Sequence, residues 1–541
     1  MEVNSLGVPA GVAIRPASTP LTVVIRTIRS RKPNIAVAPL PRDGTKVSIS
    51  TGLPSLRSQF PWLLSALLLV AAVRLYGLAD AALPDYDSVR NWQIVQEVAR
   101  GQLLHLFHHG SPVFSLVYAP VAWLTADYRV FQHLNALVAV AALGLLVAFI
   151  ARETQLPGWQ TGLLALLAGT SLFLTFSGRD FTMSSWSLLC FAGLLRAYYR
   201  RLQLPSAAAL YRATGWLVLG LGFNYKFLLT LPILAVLEWW RADGLLWRHG
   251  HWWRVAGLLV APYLVLGGVG VLAGLPWYLW PAIYYKVAFP DAANAAGRAA
   301  TIRPDGLYYL RYLWDFESGV VWLGLLGPLL AVRRLRRGQA LPPELYLAVW
   351  GWCLLAGMSL LIKAPRGLLW AYGLWYALAF LQLRRLPAVG LATVVIGAVG
   401  LNLHRIQREI YAYAPSSYPA VATWLQKHGA GPVLSTVGLG LAPLRFPTDS
   451  VRAVFSPQQA AALRQRGYRY LLVDGYWRVT NVAAFDSLRY LPTVAAWREP
   501  LLTSPLLFLE HSEFTGLGYE QTLHLQRVAR QDSVQLRVVR W

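Results

Sequence analysis

Apolar runs long enough to cross a lipid bilayer recur from about residue 60 to about residue 402, with short loops between them. A bilayer core of about 30 Å needs roughly 17–25 apolar residues in a helix. In lipid only helices and closed barrels satisfy every backbone N–H and C=O, and these runs are too long and too apolar for barrel strands. The chain therefore reads as an α-helical polytopic membrane protein. Its composition agrees: 56% of the 541 residues are hydrophobic and 14% charged, where a soluble domain carries about a quarter charged.

The pattern predicts eleven spans, near 60–82, 132–150, 158–177, 182–199, 207–223, 226–240, 254–276, 318–332, 343–362, 367–383 and 387–403. The fifth and sixth are short and hinged at Asn224-Tyr225-Lys226. A net charge of +24 suggests nucleic acid at first sight, but most Arg and Lys residues stand in short clusters between apolar runs, as orientation signals do. Arg200, Arg201 and Arg212 form one cluster, Arg241, Arg248 and Arg254 a second, Arg333, Arg334, Arg336 and Arg337 a third, and Arg384 and Arg385 a fourth. Their alternation fits an N-terminus inside, these clusters inside and the C-terminus outside. The apolar stretch "SPVFSLVYAPVAWLTA", 111–126, breaks this parity if it crosses, so it is expected to lie at the outer surface or to dip in without crossing. The elaborated loops then share the outer face, where an active site is expected.

Residues 1–58 are basic and rich in Pro, Ser and Thr, and precede the first hydrophobic run. They read as a disordered cytoplasmic tail rather than a cleavable signal. Residues 59–403 form the membrane domain. Residues 404–541 change composition: "YPAVATWLQKHG" reads as an amphipathic helix stopped by Gly429, "RYLLVDG" as a buried strand, and "TLHLQRV" with "VQLRVV" as a hairpin around "ARQDS". This is a small soluble α/β domain with no catalytic motif of its own, expected to be accessory or acceptor-binding. Cys190 and Cys353 both lie in apolar runs, so neither a structural disulfide nor a zinc site is expected.

The chemistry is concentrated after the first span. In "LPDYDSVRNWQIVQEVARGQ", 83–102, Asp85 and Asp87 precede a helix that starts near Asp87-Ser88 and stops at Gly101. Capping accounts for one acid. The helix sets Ile94, Val95 and Val98 against Arg90, Gln93, Glu97 and Arg100, as an interfacial helix does, and would hold a carboxylate at the mouth of the bundle. A carboxylate there can act as general base on an acceptor hydroxyl. The other substrate would come from the membrane as a polyprenyl-phosphate sugar, whose phosphate needs basic partners. Arg179, Lys226, Lys286, Lys363 and Arg366 all fall at outer span ends, against the orientation bias. Snorkelling to headgroups accounts for each alone; together they suit a phosphate. Lys363 and Arg366, fixed in the proline-stiffened turn 363–366, are the best-placed pair.

These stretches resemble the first outer loop of the GT-C fold glycosyltransferases, which include the protein O-mannosyltransferases, the aminoarabinose transferases of lipid A and the bacterial "RgtA/B/C/D-like" enzymes. The resemblance rests on Asp87 fourteen residues before Gly101, followed by "FHHGSPVFSLVYAPVAWL". It departs from the pattern at Ser88, where an acid is usual, and at His109-Gly-Ser-Pro112, where His-Pro-Pro is usual. "FSGRDFTMSSWSLLCFAGLL", 176–195, is similar to a second family stretch, and "GLGFNYKFLLTLPIL" to the hinge that carries Lys226. The resemblance implies a GT-C-like fold and an inverting transfer with Asp87 as base. It makes Asp180 a second carboxylate, Arg179 a phosphate contact, and Lys363, Arg366 and Lys226 recipients of the leaving charge. A turn in which Arg179 and Asp180 simply pair with each other stands as the equal alternative.

The i, i+3, i+4 spacing of His105, His108 and His109 would put them on one face of a helix. Contact with acceptor or interface is favoured for His108 and His109, over a divalent metal, which needs further ligands; no cofactor is expected. Tyr285, in the aromatic stretch "LPWYLWPAIYYKVAF", is read as a sugar contact or as part of a membrane-interface belt. The expected partners are a polyprenyl-phosphate sugar, a glycan, lipid or protein acceptor, and membrane lipids, not nucleic acid. Rival readings are a ligase or oligosaccharyltransferase using a lipid pyrophosphate, a transporter, and an envelope scaffold.

Overall fold

The computed structural model describes residues 56–540 apart from 205, 242–243, 248–249, 289–304, 330–341, 362, 430, 446–450 and 482. The predicted tail up to residue 55 and the Arg333–Arg337 cluster lie outside the described residues. The chain is a helical membrane protein with a small mixed sheet near its C-terminus. Helices stand at all eleven positions where spans are expected. The first eight helices in chain order are α1 (Leu56–Leu75), α2 (Tyr86–Ala99), α3 (Pro112–Ala122), α4 (Tyr128–Glu153), α5 (Gly158–Gly169), α6 (Leu172–Gly178), α7 (Ser184–Gln203) and α8 (Ala207–Phe223).

By length and hydropathy alone, three helical stretches among the described residues can cross a membrane: α4, His251–Leu272 and the stretch beginning at Ala388. A fourth is added if α5 and α6, bent by 71° at Thr170-Ser171, form one broken span. The remaining expected spans are shorter helices, such as the 12 residues of Thr230–Arg241. The 111–126 stretch contains α3, whose 11 residues reach roughly 16 Å, about half a bilayer core.

α1 packs on α4 and α5, and α7 on α4 and α8. At the centre, helix Leu369–Leu383 is buried almost throughout. Helix Val320–Leu326 reaches it through Gly324, where a Cβ would collide with the Trp375 carbonyl oxygen. The last long apolar helix, Ala388–Glu409, runs past the expected domain boundary at 404.

The C-terminal sheet has strands β1 (Val433–Thr436), β2 (Val451–Val454), β3 (Tyr470–Asp474), β4 (Thr493–Trp497) and β5 (Leu536–Arg540) in the order β2-β1-β3-β5-β4. β1 is parallel to β2 and β3; β5 is antiparallel to β3 and β4. The helix Tyr418–Lys427, ended by Gly429 at φ +60, and the strand in "RYLLVDG" are as expected. The hairpin is not. "TLHLQRV" lies in a helix, Tyr519–Gln531, which buries Tyr519, Thr522, Gln526 and Ala529. Seven residues are too few to separate a two-residue period from a helical one, and Gln, Leu and Arg favour the helix. Its packing on Pro505–Glu510 completes the choice.

Candidate active site

Asp85, not Asp87, caps α2. Its carboxylate accepts the Ser88 N–H at 2.7 Å, and its backbone is extended, as a cap requires. At the other end Gly101 adopts φ +78, with bonds from Gly101 N–H to Val98 O and from Gln102 N–H to Glu97 O, a left-handed glycine stop. Capping by Asp85 leaves Asp87 in the first turn, its side chain not consumed by the helix end.

The interfacial reading of α2 needs correction. Asn91, Gln93 and Gln96 are buried together with Ile94, Val95 and Val98, while Arg90 and Glu97 are half-buried and Arg100 is exposed, so only the C-terminal part of the polar face stays open. α3 and the 442–444 turn of the C-terminal region pack against it. The amphipathic pattern holds, but its polar side is in part covered by protein.

Arg366 is the cation that meets Asp87, Nη1 to Oδ2 at 3.6 Å. Glu510 at the end of helix Pro505–Glu510 holds Arg366, accepting its backbone N–H at 2.9 Å and facing its Nε at 3.3 Å. The next residue, His511, shares a hydrogen bond between its Nε2 and the Tyr476 hydroxyl (2.6 Å), while its Nδ1 bonds the Leu507 carbonyl. The Tyr476 hydroxyl also accepts the Tyr86 N–H at 3.1 Å. Tyr476 follows the C-terminal end of β3 and is set by Asp474, which accepts its N–H and the Tyr418 hydroxyl. The region expected to be accessory thus supplies Tyr476, Glu510 and His511 to the neighbourhood of the carboxylates.

Asp180 closes the group from the α6–α7 turn. Asn135 on α4 donates to its carbonyl and to that of Thr182, at 2.6 and 3.0 Å, and Asn91 on α2 donates to Phe181 O. Its Oδ1 lies 2.5 Å from Ser88 Oγ. A narrow cavity of about 20 Å³ lies here, lined by Asp85, Asp180, Arg366 and Glu510 among others. That is room for a water, not a sugar.

The electrostatics separate the acids. Burial pushes the Asp87 carboxyl up, but positive charge on its neighbours, His109 and Arg366 foremost, prevails and holds it below its ordinary value. Asp180 is pushed well above the carboxylate range by burial and by the charge of Asp85. Burial also lowers His109 and His511.

The other expected residues are placed differently. Lys363 turns away, its Nζ donating at 2.5 Å to the carbonyls of Ser359 and Leu361 at the end of helix Pro343–Ser359, where free carbonyls attract a cation. Arg179 neither pairs with Asp180 nor joins Arg366: its Nη1 donates to the carbonyls of Arg74 and Tyr76, and its guanidinium lies over the Tyr411 ring. Lys226 is in the turn Tyr225–Leu229, its N–H held by Asn224. Lys286 lies in helix Leu279–Ala288, its side chain outside the described residues. Tyr285 is exposed on that helix, whereas Tyr284 is buried and bonds Leu221 O. His108 and His109 stack edge to face with centroids 4.5 Å apart. Among the described residues no group of three or more His, Cys, Asp or Glu side chains is arranged to hold a metal ion.

No protein-family model matches the chain, and no curated protein matches it. Among solved structures it is similar to ArnT from Cupriavidus metallidurans in the apo state, at 16% identity over 84% of this chain and 78% of that one, TM-score 0.44. It is also similar to the same protein bound to undecaprenyl phosphate, at 15% identity over 87% of this chain and 78% of that one, TM-score 0.40.

Proposed function

We propose that the protein is a membrane glycosyltransferase that moves a sugar from a polyprenyl-phosphate donor to an acceptor hydroxyl on the outer face of the membrane. The observation that carries this reading is the Asp87 carboxylate beside Arg366, where α2, the 365–368 turn and the C-terminal region meet, with neighbouring positive charge favouring its ionised form. At 3.6 Å the pair attracts without a direct hydrogen bond, so the carboxylate keeps lone pairs for an incoming hydroxyl.

In this scheme Asp87 takes the proton of the acceptor hydroxyl. The acceptor oxygen bonds the anomeric carbon as the bond from that carbon to the phosphate oxygen breaks, with inversion. The electron pair leaves with the polyprenyl phosphate, and Arg366, held in place by Glu510, meets the charge that develops there. Lys363, occupied by helix-end carbonyls, is not given this role. Arg179, tied to backbone carbonyls, is given no phosphate. The reading takes the transfer to be metal-independent and places the active site and the C-terminal region outside a bacterial plasma membrane.

The test is incubation of the purified chain with a panel of polyprenyl-phosphate sugars and their pyrophosphate counterparts, with and without EDTA, and product detection by mass spectrometry. Transfer from a monophosphate donor, unaffected by EDTA, is expected. Transfer from pyrophosphate donors alone assigns the ligase reaction instead. No transfer from either, with donor binding absent, removes the enzymatic reading.

A further inference from the structure

One contact in the site cannot be satisfied with all its carboxylates ionised. Ser88 Oγ stands 2.5 Å from Asp85 Oδ1 and 2.5 Å from Asp180 Oδ1. A hydroxyl carries one hydrogen and can donate to one of them. The other oxygen–oxygen contact needs a hydrogen from the carboxyl side, or two sets of lone pairs face each other in a buried place. Asp85 also accepts the Ser88 N–H, and Asp180 also accepts the Phe181 N–H at 2.6 Å, so neither acid is free to turn away.

Asp180 borders two cavities. Beyond the small one it shares with Arg366, it lines a second of about 50 Å³, among Pro84, Gln132, Phe176, Arg179, Glu409, Tyr413 and Ser504. Three residues of that wall keep a buried polar atom with no protein partner: Gln132 Oε1, Arg179 Nη2 and Ser504 Oγ. Gln132 and Ser504 are 1% exposed and Arg179 6%. Buried polar atoms require partners, and a water needs roughly 10–15 Å³, so the cavity suits about three or four waters. Its outer wall, Tyr413 and Ala414, is only half-buried.

We propose that Asp180, Ser88 and Asp85 form one hydrogen-bonded chain holding a single shared proton, resident on Asp180, and that waters in the second cavity exchange this proton with solvent. The purpose rests on the transferase reading: with one proton stored on the chain, Asp87 remains the ionised base in a cluster of three carboxylates. The charged groups facing Asp180 agree with that residence. α2 presents Asp85 and Asp87, the 365–368 turn Arg366, the C-terminal region Glu510, the end of helix Ala388–Glu409 Glu409, and its own turn Arg179. Acids outnumber bases, and both bases are committed, Arg366 to Glu510 and Asp87, Arg179 to backbone carbonyls. No step of transfer is routed through the chain; Ser88 and Asp180 are positioning groups for Asp87.

The test is infrared spectroscopy of the full chain in lipid nanodiscs, with isotope-labelled aspartate to exclude glutamate bands, slightly above neutral pH so that Asp474, pushed up to about 6, is ionised. A protonated aspartate band is expected in the wild type. Asp180→Asn removes it, Ser88→Ala shifts it, and Asp87→Asn leaves it in place. The band moves promptly on transfer to heavy water, and more slowly in Gln132→Leu. Absence of the band in the wild type, or its survival in Asp180→Asn, overturns the shared proton. Equal exchange rates in wild type and Gln132→Leu overturn the water path. These spectra need no substrate, so their failure leaves the transferase reading standing, and a failure of transfer leaves them intact.

Discussion

Asp87 and Arg366 carry different demands, and their substitutions separate them. Asp87→Asn keeps size and hydrogen bonding but cannot take a proton; transfer falls by about 10²–10⁴-fold, the usual worth of a general base, with an unchanged melting curve as the control. Glu510→Gln leaves a partner for the Arg366 N–H but removes the charge that fixes its guanidinium. The expected loss is about a hundredfold, in kcat more than in KM. The pH dependence has a definite sign. Asp87 is held below its ordinary value, so its ionised form persists as pH falls through the ordinary carboxylate range, and the acid limb of the rate profile lies below that range. Asp180 is raised. Between the ordinary carboxylate range and its raised value the folded state binds a proton that the unfolded state has lost, so the group's contribution to stability falls as pH rises. Asp180→Asn removes this slope, which thermal unfolding measured across pH detects. Much at this scale was legible beforehand. The Asp87-to-Gly101 interval is local, and a cap with a glycine stop is written in adjacent residues. Which acid caps was not, because Asp85 and Asp87 are equally good caps until the backbone chooses. Nor could the sequence say that Lys363 turns back to its own helix while Arg366 turns forward, since both sit in the same turn.

At the scale of elements, α2 is the part on which the site is built. Gly101→Ala places a Cβ at φ +78. There is space for it but the backbone is strained, and a loss of about 1 kcal/mol is expected, read as a lower unfolding midpoint with the Asp87–Arg366 contact intact. Helix identity was legible wherever the apolar period ran long, as in α4. It failed at 519–531, where a short alternating stretch fits both periods and contacts with Pro505–Glu510 decide. The apolar face of α2 was legible as well, but its surroundings were not. Period reports that one side is buried and says nothing of whether lipid, water or protein covers the other.

For the whole molecule, the central observation is that the site is joint. Tyr476 meets Tyr86 across 390 residues of chain, a pairing that no local pattern can encode, and Glu510 and His511 stand in a stretch with no catalytic signature. A chain ending before Tyr418 therefore loses transfer, since Arg366 loses Glu510 and α2 loses its cover; membrane insertion, followed by fractionation, remains. The most direct test of the central claim is single-turnover transfer by Asp87→Asn, with donor binding measured on the same preparation. The account predicts donor bound as in the wild type and transfer lost by orders of magnitude. Turnover within a few-fold of wild type, with donor bound, would contradict it.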